Sequence, residues 1–142
     1  MAQDEGKMTV GSCKLCGETG QLAESHVIPR ALQLDLAQDG ETLKIYSIED
    51  YPKRIPIGVY DYIVCIECEK KFHAWDDHAI DVFRRPIPHD AKHGYELAPV
   101  IYDRLKLFMI SLAWRASVSS QLYYRGVRLI GLYTIVGVTA GT

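Results

Sequence analysis

Two Cys-x-x-Cys pairs constrain this chain more than any other feature. Cys13-Lys14-Leu15-Cys16 and Cys65-Ile66-Glu67-Cys68 hold all four of its cysteines, and 48 residues lie between Cys16 and Cys65. Each pair can chelate a metal from a turn, and two pairs supply the four thiolates of a tetrahedral zinc site. Zinc has no geometric preference of its own and binds thiolate strongly. Gly17, directly after Cys16, suits such a knuckle, because it relieves backbone strain and lets amide N–H groups approach the sulfurs. A redox Cys-x-x-Cys usually stands alone at a helix start in a βαβ context, so two pairs favour the metal. A four-cysteine site keeps no open coordination position. Such a zinc holds the fold, and any chemistry must come from other residues.

The setting agrees with reduced thiols. Met1 to Gly11 is polar and acidic and lacks the apolar segment of a secretory signal. The apolar stretch from Leu105 to Val138 is broken by Arg115, Arg125 and Arg128, so no run reaches the roughly 18 uncharged apolar residues of a membrane span. The expectation is a cytoplasmic protein without a membrane partner, in which four cysteines bind a metal rather than form disulfides. A length of 142 residues fits one domain, and 48% apolar content fits a modest core that gains from a metal staple. The net charge of −2 is uneven. Residues 1–68 carry 6 Lys and Arg against 11 Asp and Glu, and residues 69–142 carry 10 against 7. A basic C-terminal half can touch phosphate, or it can be an ordinary solvated surface.

Local pattern divides the chain further. Residues 1–11 read as a disordered tail. Gln21 to Ile28 suits a short strand ending at Pro29, and Ala31 to Ala37 a short helix ended by Asp39-Gly40. Thr42 to Tyr62, with Pro52, Pro56 and Gly58, reads as irregular. Asp61 to Ile66 is β-rich and leads into the second cysteine pair. Glu69 to Phe83 has Phe72, Trp75, Ala79 and Phe83 at helical spacing, and Pro86 and Pro88 stop it. A long helix is expected from Pro99 to Tyr124, closed by Gly126, with Ile101, Leu105, Phe108, Leu112 and Ala116 as its apolar stripe and Trp114 in the core. Leu129 to Val138 suits a final strand, and the abrupt uncapped end fits a chain cut short of a longer family.

Between and after the pairs lie His26-Val27-Ile28-Pro29 and Glu69-Lys70-Lys71-Phe72-His73. With Cys13-Lys14-Leu15-Cys16-Gly17 and Cys65-Ile66-Glu67-Cys68, the pattern resembles the HNH endonucleases, in the subgroup whose ββα-metal fold is buttressed by a four-cysteine zinc. Leu105 to Ser117 also resembles a helix of uncharacterised bacterial and phage HNH-like proteins that share the Ser-His-x-Ile-Pro form. The resemblance implies an α+β fold with an HNH-like core over residues 12–85, a long insertion at 30–64, and a C-terminal helical extension over 86–142 packed on that core. It implies phosphodiester hydrolysis in DNA, with His26 as general base. It implies a divalent ion, Mg²⁺, Mn²⁺ or Zn²⁺, near the start of the helix, where Glu69 and His73 are the candidate ligands. Residues four apart share a helix face, so Glu69, His73 and Asp77 line one edge, with Asp76 beside it. Arg30, Lys70, Lys71, Arg84 and Arg85 form a group able to contact DNA phosphates.

Two departures from the family pattern stand out. Ser25 occupies the place of the usual acid before the histidine, with Glu24 one residue further back, and the chain has no Asn at all. They keep open an alternative, a zinc-binding module that binds nucleic acid or protein without cleavage. A redox or zinc-sensing switch is a third reading. Asp76 and Asp77 read as surface acids, and His78, His89 and His93 as surface or loop residues. The long helix suits either a core role or the seam of a homodimer.

Overall fold

The computed structural model describes residues 9–37, 42–45 and 53–129. Among the described residues, six short strands pair as three antiparallel ladders, and two long helices pack against each other. β1 (Val10–Ser12) pairs with β2 (Thr19–Gln21), so Val10 and Gly11 belong to a hairpin and not to a tail. The hairpin presents the first cysteine knuckle at its tip. β3 (Ser25–His26) pairs with β6 (Tyr60–Asp61), setting His26 opposite Tyr60. The expected strand over 21–28 is thus split in two, with Leu22 bridging to Cys65 between the halves.

β4 (Thr42–Ile45) and β5 (Lys53–Pro56) form a third ladder inside the stretch expected to be irregular. Pro56 ends β5, and both strands of a two-stranded ladder are edge strands, where a missing N–H is tolerated. The short helix α1 (Arg30–Gln33) starts after Pro29 and passes into a 3-10 turn, Leu34–Leu36.

α2 (Ile66–Phe83) begins three residues earlier than periodicity suggested, because Cys65 takes the N-cap position in extended conformation. Of its expected stripe, Phe72 and Ala79 are fully buried, Trp75 is half-buried and Phe83 is exposed. α3 (Tyr102–Val118) is shorter than the expected span at both ends. At its start, the Ile101 N–H donates to His78 Nε2 at 3.1 Å from extended backbone. At its end, Ser119 turns extended, and Asp61 Oδ2 accepts from the Ser119 hydroxyl, the Ser120 hydroxyl and the Ser120 N–H. A 3-10 turn, Leu122–Tyr124, follows. The buried face of α3 is Phe108, Ser111, Trp114, Arg115 and Ala116, while Ile101 is exposed. Apart from Leu129, which is in no strand, the proposed final strand lies outside the described residues.

The main core gathers Leu15, Leu22, Ile63, Val64, Phe72 and Trp114 around Cys13 and Cys68. Phe72 stacks at a tilt on Trp75 and Trp114, each with ring centroids 5.9 Å apart. α3 therefore shares the core of the cysteine knuckles. Among the described residues, no helix is long and apolar enough to cross a membrane.

Asp61 is the latch between β6 and the end of α3. Burial opposes its charge, but the Ser120 N–H, the two serine hydroxyls and the Tyr62 N–H together hold its carboxyl below the ordinary aspartate range. A depressed folded-state pKa adds stability that is present above the unfolded value and lost as pH falls through the folded one. Thermal unfolding followed from about pH 6 to about pH 3 should show this loss, and Asp61→Asn should remove that part of the acid slope. Equal slopes in the two proteins would exclude the latch.

Candidate metal centre and adjoining cleft

The first knuckle folds locally. Gly17 sits at φ +81°, in the left-handed region, and its N–H donates to the Cys13 carbonyl at 2.9 Å. The Cys16 N–H points at Cys13 Sγ at 3.4 Å, and the Cys13 N–H closes the hairpin on the Glu18 carbonyl. The second knuckle is the opening of α2, where unpaired N–H groups and the helix dipole favour thiolates. Backbone bonds bring the two together: the Lys14 N–H donates to the Ile63 carbonyl and the Ala23 N–H to the Val64 carbonyl, both at 2.9 Å.

The result is a set of four sulfurs all within 4.8 Å of one another. All four thiols are free, and Cys16 Sγ lies 3.8 Å from Cys65 Sγ, far beyond a disulfide bond. Zn–S bonds of about 2.3 Å in a tetrahedron place sulfurs about 3.8 Å apart. The donor set and its dimensions therefore fit a metal such as zinc. Burial opposes ionisation of Cys13, but the N–H groups of Cys16, Cys65 and Leu15 outweigh it and bring its pKa down to about 7. Burial and the three neighbouring thiols push Cys68 up. Four crowded sulfurs do not ionise together without a cation among them, and a bound cation deprotonates a coordinating thiol outright.

Beside this frame lies a cleft of about 170 Å³, lined by His26, Arg30, Glu69, His73, Asp76 and Asp77 among others. The structure thus brings His26, Glu69 and His73 to one concavity. His73 Nε2 lies 3.7 Å from Glu69 Oε1. The fully buried Ser25 hydroxyl donates to Glu69 Oε2 at 2.5 Å, so the residue before His26 orients the carboxylate across the cleft. Glu24 points away and accepts from the Tyr62 hydroxyl at 3.2 Å. Among the described residues, the four cysteines are the only group of three or more donors close enough to hold an ion by themselves.

Two residues of this site escaped the sequence reading. Asp76 is no surface acid: its side chain is 13% exposed and makes a two-pronged ion pair with Arg115, at 2.9 and 2.7 Å. Arg115 is fully buried in α3 and also donates to the His26 carbonyl at 2.9 Å and to Ser111. Its guanidinium stands 5.0 Å from the centre of the Phe72 ring. One cation thereby joins α3, α2 and the strand that carries His26. Nothing local in the sequence marks this pair, since the partners are 39 residues apart. The only cue is an arginine placed directly after the uncharged run 107–114 of the helix.

The basic residues scatter. Arg30 borders the cleft, Lys70 pairs with Glu67 at 2.6 Å, and Arg84 pairs with Asp35 at 3.4 Å. Arg85 is held by Asp81 and the Pro99 carbonyl, both at 2.6 Å, and so ties the end of α2 to the segment before α3. Lys71 is two positions from Glu69, about 200° around the helix, and faces away from the cleft. The grouping of these five as one phosphate-binding set is not what the fold arranges. His78 is a backbone acceptor, while His89 and His93 are exposed. Compared with protein-family models, curated proteins and solved structures, the chain finds no match.

Elemental analysis of the purified, reduced protein should find about one zinc per chain, and chelation should unfold it, since structural zinc binding is worth about 10–16 kcal/mol. A metal-free protein of unchanged melting temperature would remove the zinc centre. Asp76→Ala leaves the buried Arg115 charge uncompensated and should cost about 3–5 kcal/mol in denaturant unfolding. A cost below about 1 kcal/mol, the range of exposed pairs, would show that the pair is not buried in solution.

Proposed function

We propose that this chain is a metal-dependent HNH-type endonuclease that hydrolyses phosphodiester bonds in DNA, with His26 as general base and the four cysteines as the structural zinc site. The observation that carries this reading is the shared cleft of His26, Glu69 and His73 beside the cysteine frame. The chain order of β3, β6 and α2 supports it as well, because two antiparallel strands followed by a helix is the order a ββα-metal core requires.

The parts have definite tasks in this reading. His26 is half-buried at the end of its ladder, and its backbone oxygen is fixed by Arg115, so the ring is held by scaffold rather than by a loose loop. A general base needs that placement to take a proton from an attacking water. Glu69 and His73 are the residues that would hold a catalytic divalent ion, which would relieve charge on the scissile phosphate. A carboxylate and an imidazole 3.7 Å apart would suit such an ion. Ser25 supports this by fixing Glu69, which gives a role to the residue standing where an acid is usual. Arg30, at the edge of the same cleft, is positioned for a phosphate.

The alternative reading, a zinc module that binds without cleaving, is favoured by one observation. Asp76, a carboxylate of the cleft, is committed to Arg115 and is not free for a metal.

Plasmid nicking in the presence of Mg²⁺ or Mn²⁺ separates the two. His26→Ala should lower the rate about 10²- to 10⁴-fold, the usual contribution of a positioned acid–base group, without changing the melting temperature. Undiminished nicking by a folded His26→Ala protein would remove His26 from the mechanism. No nicking by the parent protein with either ion would favour the binding module.

A further inference from the structure

A second, larger groove adjoins the cleft. It has a volume of about 500 Å³ and is lined by Gly58, Tyr60, Asp61, Tyr62, Gln121 and Tyr123, among others. Its aromatic rings continue the line of the cleft. His26 meets Tyr60 edge to face with centroids 6.3 Å apart, and Tyr60 meets Tyr62 in the same manner at 5.8 Å. Tyr60 is 43% and Tyr123 is 49% exposed, so both offer ring surface to a ligand. We propose that this groove binds an unpaired stretch of nucleic acid, stacking its bases on Tyr60 and Tyr123 while a neighbouring phosphate meets Arg30.

Three features support this occupant. Arg30 lies on the border between the two concavities: it lines the cleft, and its side chain lies against Gly58 of the groove. Gly58 is at φ +69°, and a Cβ there would come within 2.8 Å of Arg30 Cδ, so the glycine makes room for the arginine to cross. Arg30 is exposed, so a phosphate can reach it from solvent. The carboxylate inside the groove is already engaged, since Asp61 accepts from Ser119, Ser120 and Tyr62. The groove wall is also firm. Tyr60 is paired to His26 in the ladder, and its carbonyl accepts from Gln121 Nε2 at 2.9 Å.

Stacking on aromatic rings tolerates any base, because every base has a π-face, whereas a duplex keeps its faces covered. The groove would therefore select unpaired over paired strands and bring the selected strand to His26. The proposal rests on the nuclease reading for its orientation, but its test reads binding alone.

The zinc-loaded full chain, without added divalent ion, is titrated by fluorescence anisotropy with labelled oligomers of about 12 nucleotides. The probes are thymidine, uridine, an abasic strand with the same number of phosphates, and a duplex. Thymidine or uridine should bind at least about fivefold tighter than the abasic strand and the duplex, and the tighter of the two names DNA or RNA as the source. Tyr60→Leu should bring binding down to the abasic level and Tyr60→Trp should restore it. Tyr123→Ala, on an exposed turn, should weaken binding without touching the β6 ladder. Equal affinity for base-bearing and abasic strands, no binding of either, or tyrosine variants without effect would overturn the proposal. Nicking without base-dependent binding removes the groove and leaves the nuclease. Base-dependent binding without nicking does the reverse.

Discussion

Four thiols lie within 4.8 Å of one another, and the main core is built around them. Two of them, Cys13 and Cys68, are also members of the apolar core. The sulfur cluster and the packing of Leu15, Val64, Phe72 and Trp114 are therefore one structural unit. A chain this size buries a modest core, and a cation bound to the sulfurs would add to that core at its centre. The backbone bonds from Lys14 and Ala23 to the segment before α2 hold the knuckles in register, so the metal site is supported by the chain as well as supporting it.

Around that unit, charge is handled by pairing rather than by exposure. Arg115 is buried and meets a carboxylate, a carbonyl and a serine at once, so its donors stay satisfied away from water. Among the described residues, no buried side-chain nitrogen or oxygen is left without a partner. Ser25, Asp61 and His78 follow the same rule on a smaller scale. Each is a polar group that ends or orients an element: Ser25 sets Glu69, Asp61 stops α3, and His78 holds the N–H before its first turn.

These pairings also explain how much was legible beforehand. The cysteine centre was readable because its chemistry is carried by local spacing. The body of α2 was readable from periodicity, while Glu69 and His73 came from the family resemblance, with the four-residue repeat adding only that they share a helix face. The limits of α3 were not readable, because Asp61 and His78 set them from distant positions. The β4–β5 ladder lay hidden behind prolines and a weak alternation of side chains. Asp76 looked like solvent-facing charge because its partner, Arg115, stands on another helix. The five basic residues looked like a group in the sequence, but most are engaged by nearby acids or a carbonyl.

The reach of Arg115 has a consequence for the minimal unit of the molecule. His26 and Arg115 are 89 positions apart, yet the guanidinium holds the very strand that carries the imidazole. The C-terminal helix is thus an organ of the cleft and not an appendage to it. A fragment trimmed after α2 would keep every cysteine together with His26, Glu69 and His73, but it would lose the clamp on that strand and leave Asp76 unneutralised. The smallest chain that preserves the architecture of the cleft must extend at least through α3.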